Sequence, residues 1–204
     1  MNRYSQAKLK TPLYGLILTG GKSSRMGKDK ANLEFHGKKQ SEYCRELLAP
    51  FCEKIFISNR KEQADLEEQK ERPQIHDTAP FAGIGPLGGI LSAMTLYSEA
   101  SWLVLACDLP LVNGKTIEHL IKHRNPQKMA TAFISTHDGL PEPLCAVYEA
   151  KSRDHLVMFL KEGIECPRKI LINSDVELLK QPDTMTLENI NTPEDLERVL
   201  KILS

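Results

Sequence analysis

Two short runs limit what this chain can fold into more than any other feature: Leu13-Tyr14-Gly15-Leu16-Ile17-Leu18-Thr19 and Trp102-Leu103-Val104-Leu105-Ala106-Cys107. Neither alternates apolar with polar residues, so neither suits a sheet with one face in water. Continuous apolar runs of this length, bounded by turn residues, are what a parallel strand covered on both faces requires. The first run stops at Gly20-Gly21. The second stops at Asp108-Leu109-Pro110, whose proline lacks the N–H that a longer strand would need.

The rest of the sequence alternates around these runs. Strands are expected at Lys54 to Ser58, Gln74 to His76, Met129 to Ile134 and Leu144 to Tyr148. Helical spacing of apolar residues covers Glu42 to Phe51, the stretch from Gly85 to about Tyr97, Lys115 to His123 and Arg153 to Lys161. The polar stretch Arg60 to Arg72 reads as an exposed helix, and Thr186 to Ile190 precedes a closing helix from Pro193 to about Leu203. Alternation of this kind predicts an α/β fold, a three-layer α/β/α sandwich with a mostly parallel sheet and right-handed crossovers. Ligands of such sheets sit outside the carboxyl ends of the strands. That rule directs attention to the loops after Thr19, Ser58, His76 and Cys107.

Composition narrows the class further. With 204 residues, 41% of them hydrophobic, the chain suits one domain over residues 1–204 that buries its own core, with 1–12 as a polar, flexible tail. Lys plus Arg and Asp plus Glu both total 27, so no overall basic field drives nucleic-acid binding, and anions must be met locally. The five cysteines include no Cys-x-x-Cys pair and suit reduced thiols. The first apolar run is too short for a membrane span or signal core, which makes cytoplasmic localisation the expectation.

The stretch Leu18 to Lys30 holds three glycines (Gly20, Gly21, Gly27) and four cations (Lys22, Arg25, Lys28, Lys30), offset only by Asp29. Glycines let backbone N–H groups turn toward an anion, and the cations supply charge-assisted bonds to a polyphosphate. The P-loop pattern G-x-x-x-x-G-K-[ST] does not fit, because Gly21 and Gly27 are too far apart and Asp29 stands where the hydroxyl residue belongs. The dinucleotide fingerprint G-x-G-x-x-G fails as well. Asp108, at the end of the most apolar strand, is well placed for Mg²⁺, which prefers oxygen and bridges one or two carboxylates to substrate phosphates. Asn59 and Asp77 follow two other strands, where they could bond a base or ribose. Gly85-Pro86-Leu87-Gly88-Gly89 opens a helix and admits two readings, an anion site at the helix N-terminus or close helix-to-sheet packing. Thr192 and Pro193 have the form of an N-cap and first helical residue. His119 and His123 have metal-pair spacing without an accompanying glutamate, Ser23 and Ser24 lack a histidine partner, and Cys107 reads as a small buried hydrophobe.

The stretch LILTGGKSSRMGKDKANL (16–33) resembles the signature of nucleotidyltransferases that activate sugars and cofactors, specifically the molybdenum cofactor guanylyltransferase family. The resemblance continues in order through GPLGGILSAM (85–94), LACDLP (105–110), EPLCAVY (142–148) and NINTPEDL (189–196), and so spans nearly the whole chain. It implies a Rossmann-like nucleotidyltransferase fold. It implies that Leu18, Thr19, Gly20 and Gly21 belong to the guanine and nucleotide pocket, that Lys30 meets the phosphates with Arg25, that Asn59 and Asp77 complete nucleotide recognition, and that Asp108 binds the metal. Gly85, Asn189 and Asn191 fall on the acceptor or phosphate side. Asparagine rather than an acid at 191 leaves one protein carboxylate for the ion.

The implied reaction is transfer of GMP from Mg-GTP to the phosphate of molybdenum-bearing molybdopterin, forming the guanine dinucleotide cofactor and pyrophosphate. GTP and molybdopterin are the implied partners and Mg²⁺ the cofactor, with molybdoenzyme apoproteins or cofactor-delivery proteins as recipients, and neither nucleic acid nor membrane. Arg168-Lys169 is basic, in keeping with an anionic acceptor. The sequence departs from the family after Gly37, where Lys38-Lys39-Gln40-Ser41 replaces the usual proline and apolar residues and blurs the start of the next helix. Three alternatives remain open: a CTP-using molybdopterin cytidylyltransferase, whose relatives tend to carry Ala-Ala-Gly where this chain has Thr19-Gly20-Gly21, a sugar-phosphate nucleotidyltransferase, and a non-catalytic nucleotide-binding module.

Overall fold

The structure is a computed structural model that describes residues 11–19, 34–59, 73–190 and 192–203. Along them run β1 (Leu13–Leu18), β2 (Glu34–Phe35), β3 (Lys38–Lys39), α1 (Gln40–Leu48), β4 (Lys54–Asn59), β5 (Gln74–His76), α2 (Pro86–Leu96), β6 (Ser101–Ala106) and α3 (Gly114–Lys122). There follow β7 (Ala130–Ile134), β8 (Pro141–Tyr148), α4 (Arg153–Lys161), α5 (Pro167–Ile172), β9 (Val176–Leu179) and α6 (Pro193–Leu203). The expected tail, the glycine-rich cationic stretch 20–33 and the polar stretch 60–72 lie outside the described residues, apart from residues 11 and 12 of the tail. Among the described residues no helix is long and apolar enough to cross a membrane.

One sheet has the order β5-β4-β1-β6-β8-β7-β9. Its β5, β4, β1 and β6 run parallel, whereas β8 enters antiparallel to both β6 and β7, and β9 pairs parallel with β7. Every residue of β1 and β6 is buried, as their unbroken apolar runs require. Alternate side chains go to opposite cores. Tyr14, Leu16, Leu18, Trp102 and Val104 pack with Leu87, Ile90 and Leu91 of α2, Leu156 and Phe159 of α4, and Ile170 of α5. Leu13, Ile17, Leu103 and Leu105 face the other way, toward Cys44 and Leu48 of α1 and Ile117 and Leu120 of α3. Helices thus cover both faces, and the expected three-layer α/β/α sandwich with a mostly parallel sheet is the observed one.

A third, smaller core ties peripheral pieces to the sheet's edge. Phe35 of β2, Leu111 of the loop after β6, Ile190 and Val199 of α6 are buried together. The β2–β3 hairpin turns on His36 (φ 58°) and Gly37 (φ 72°), both left-handed as a two-residue type I′ connection demands. Holding a histidine there costs about 1 kcal/mol. Helix α1 begins at Gln40 with no side-chain cap from Lys39, so the unusual residues after Gly37 move the helix start forward rather than abolish it. The start of α6 follows the local rules, since Asp195 N–H donates to Thr192 Oγ1 at 3.1 Å and Thr192 N–H donates to Asp195 Oδ2 at 3.0 Å, a reciprocal cap. The β2–β3 hairpin, helix α5 and strand β9 are additions to the expected elements, and β8 starts at Pro141 rather than Leu144.

Candidate active site

Because β1, β4, β5 and β6 are parallel, the residues at their carboxyl ends arrive at one edge: Thr19, Asn59, Asp77 and Asp108. Much of the hydrogen-bonding capacity at the β1 end is taken up by the sheet itself. The Leu18 carbonyl accepts from Cys107 N–H at 3.1 Å, and Thr19 N–H and Oγ1 both donate to the Ser58 carbonyl, at 3.2 and 2.9 Å. Asn59 is buried, and its Nδ2 donates to Gln74 Oε1 at 2.9 Å, so its amide is fixed across β4 and β5 at the carboxyl edge of the sheet.

Asp77 lies over the first turn of α2. Its Oδ2 is 3.2 Å from where a Cβ on Gly88 would stand, so the carboxylate faces the positive end of that helix. Gly85 is the N-cap with φ 68° and ψ −146°, a conformation open in practice to glycine alone. Gly88 and Gly89 answer to packing, because a Cβ would come within 2.4 Å of the Phe81 carbonyl oxygen at one and 2.3 Å of Ser58 Oγ at the other. The glycines therefore press α2 onto the carboxyl ends of β1 and β4.

Asp108 is half-buried immediately beyond β6. Three alternate carbonyls of its loop are each held by a different segment: Asp108 O by Ile190 N–H at 3.0 Å, Pro110 O by His36 Nε2 at 2.9 Å, and Val112 O by Tyr43 Oη at 3.1 Å. The first of these bonds ties the residue after Asn189 to the segment that carries Asp108. The Asn189 Oδ1 atom is buried and has no hydrogen-bond partner among the described residues. A carboxylate and an unsatisfied amide oxygen on segments joined in this way offer the oxygen donors that a hard divalent cation prefers. No cluster of three or more His, Cys, Asp or Glu able to hold a metal occurs among the described residues. Mg²⁺ that bridges one or two carboxylates to phosphates and keeps its waters needs no such cage. Gly20, Gly21, Arg25, Lys30 and Asn191, the other expected site residues, lie outside the described residues.

Sequence reasoning missed one member of this edge. Strand β8 pairs with β6 antiparallel as far as Cys145 opposite Leu105, and Glu142, three residues before Cys145, lies near enough to feel the charge of Asp108. Glu142 is buried and ion-paired to Arg168, which also reaches Asp138 at 3.0 Å. Burial pushes the Glu142 carboxyl up; Arg168 opposes this, while the charges of Asp138 and Asp108 add to it. Arg168 is thus shared between the carboxylates of Glu142 and Asp138, whereas its sequence context suggested only a basic pair. The motif containing Glu142 was visible, but its cross-strand neighbour was not. His119 and His123 sit on α3, where His119 stacks on Phe133 and His123 Nδ1 donates to the His119 carbonyl at 2.9 Å. Cys107 is buried, as a small hydrophobe would be.

An α/β sandwich with a mostly parallel sheet, an aspartate at the end of a central strand and a glycine-started helix beside it defines a Rossmann-like nucleotide-handling domain. Residues 15–176 match the family described as the MobA-like NTP transferase domain, and the chain belongs to that family of nucleotidyltransferase domains. It is 38% identical over 189 residues to the "Molybdenum cofactor biosynthesis bifunctional protein" of Synechocystis sp., covering 93% of this chain and 54% of that protein, so it spans about half of that relative's length. With the "Probable molybdenum cofactor guanylyltransferase" of Geobacillus sp. it shares 29% identity over 91% of this chain and 97% of the relative. The crystal structure of "Molybdopterin-guanine dinucleotide biosynthesis protein A" from Archaeoglobus fulgidus superposes with a TM-score of 0.75 and 29% identity, covering 93% of this chain and 97% of that one.

Proposed function

We propose that the chain transfers GMP from GTP to the phosphate of molybdenum-bearing molybdopterin, releasing pyrophosphate and forming the guanine dinucleotide cofactor. The observation that carries this reading is the backbone bond from Ile190 N–H to the Asp108 carbonyl, which joins the strand-end aspartate to the residue after Asn189, whose side-chain oxygen is buried without a partner among the described residues. Family membership supports it, as does end-to-end similarity to a relative named a guanylyltransferase.

In the reaction an oxygen of the acceptor phosphate attacks the α-phosphorus in line, forming a new P–O bond, while the bond to the bridging oxygen of pyrophosphate breaks and its electron pair leaves with pyrophosphate. The attacking phosphate is already ionised, so no strong general base is required. Asp108 and Asn189 would hold the divalent cation. When bound, Mg²⁺ supplies charge neutralisation at the phosphates. Lys30 and Arg25 stabilise the charge growing on the leaving group, and losing one such contact costs about 10²- to 10³-fold in rate. Thr19, Gly20, Gly21, Asn59 and Asp77 serve the nucleotide. Gly85, at the N-terminus of α2, and Asn191 serve the phosphate or acceptor side. The activity is assigned to one domain working in the cytoplasm, with molybdoenzyme apoproteins or delivery proteins as recipients of the product.

The test is Mg²⁺-dependent pyrophosphate release by the purified chain with molybdopterin, run in parallel with GTP and CTP. Release with GTP and not CTP supports the reading. A preference for CTP overturns the base assignment, and GTP binding without release in the presence of the acceptor identifies a non-catalytic nucleotide-binding module.

A further inference from the structure

His36 is the one non-glycine residue among the described residues with a positive φ, 58°. A type I′ turn is served best by Asn-Gly or Gly-Gly, so a histidine at its first central position needs a reason outside the turn. That reason lies across the cleft edge. The His36 ring stacks on Tyr43 with centroids 3.9 Å apart and planes 15° from parallel. Nε2 of His36 donates to the Pro110 carbonyl, and Tyr43 Oη donates to the Val112 carbonyl. Phe35, next to His36, is buried against Leu111 between those two carbonyls, together with Ile190, whose N–H holds Asp108. The segment 108–112 is gripped from the hairpin on one side and from residue 190 on the other.

We propose that His36 and Tyr43 are positioning residues for Asp108, a stacked pair on the β2–β3 hairpin that fixes the height of the aspartate's loop at the sheet edge. They need not touch substrate. The catalytic consequence rests on the nucleotidyltransfer reading above, but the mechanical one does not. The left-handed backbone at His36 aims its imidazole across the loop, and Tyr43, one turn into α1, supplies the second bond and a flat surface that limits the ring's rotation.

The test compares the full chain with His36→Gly, His36→Asn and Tyr43→Phe. Glycine and asparagine both suit the turn, so a residue with only a turn-forming role would leave these variants as stable as the wild type or more so, with no other change. The clamp instead predicts that hydrogen exchange of amides in 108–113 accelerates by up to about tenfold in His36→Gly and Tyr43→Phe, with other segments and the melting temperature little altered. It also predicts that kcat falls about tenfold or more while KM for GTP changes by less than about twofold. Unchanged exchange over 108–113 in both variants overturns the clamp, as does unchanged kcat in an active enzyme. Were the wild type to release no pyrophosphate, the functional reading would fail, and the exchange comparison would decide the clamp on its own.

Discussion

The backbone N–H of Ile190 donates to the carbonyl of Asp108 at 3.0 Å, joining residues that are far apart in sequence at the candidate metal site. The bond ties the segment that carries Asp108 to the residue that follows Asn189. We expect Asp108→Ala to lower turnover by about 10²- to 10³-fold. The expected loss for Asn189→Ala is smaller, about tenfold, and raising Mg²⁺ should recover part of it, because a neutral oxygen ligand contributes less than a carboxylate. Pyrophosphate release measured against Mg²⁺ concentration checks both.

Gly88 tests whether α2 is held against the cleft by packing. A Cβ there would meet the Phe81 carbonyl oxygen, a backbone atom that cannot swing aside. Gly88→Ala should destabilise the fold by about 1–3 kcal/mol. Thermal melting should register this at about 2–4 °C per kcal/mol for a chain of this size. Gly114→Ala, where no atom lies within 4 Å and the backbone is not left-handed, should be neutral or slightly stabilising.

The Glu142 carboxyl is raised above its ordinary value of 4.5, chiefly by burial. Between that value and its folded pKa the native state binds more protons than the unfolded chain. The contribution is complete below 4.5 and is lost as pH rises through the folded pKa. Wild type should therefore lose stability relative to Glu142→Gln as pH increases across that window. Arg168→Ala removes the opposing charge and should carry the window to higher pH. Melting temperature against pH for the three proteins tests the sign.

The thiols should divide by environment. Cys166 is exposed, Cys44, Cys107 and Cys145 are buried, and burial pushes the Cys52 thiol up to about 12. Alkylation of the native protein near neutral pH should therefore modify Cys166 alone, with the other four reacting only after unfolding. Mass spectrometry of the labelled chain counts the adducts.

The parts of the fold legible in the sequence were those that local chemistry determines. Unbroken apolar runs gave away β1 and β6, and Thr192 before α6 with Pro193 as its first residue gave away its start. Strand β9 escaped because Val176–Leu179 is a half-buried edge strand with a glutamate in its four residues. Helix α5 is only six residues long, too short to display a period. The early start of β8 was hidden by Pro141 and Pro143, which ordinarily argue against a strand. The gathering of Asp108, Asn59 and Asp77 at one edge of the sheet was legible from the order of strands and the loops that follow them. Glu142 was not, since only the folding of β8 against β6 brings it within reach of the Asp108 charge. The bond from His36 to Pro110 crosses 74 residues, and no spacing rule could disclose it.

The central claim is that Asp108 and Asn189 hold the ion that serves the nucleotide's phosphates. The most direct measurement is a crystal structure of the chain with GTP and Mg²⁺. The expected result is an ion about 2.1 Å from an Asp108 carboxylate oxygen, bridging to a phosphate, with the guanine base near Thr19 and Asp77. A nucleotide bound with its ion remote from Asp108, or no ion at that sheet edge, would contradict the claim.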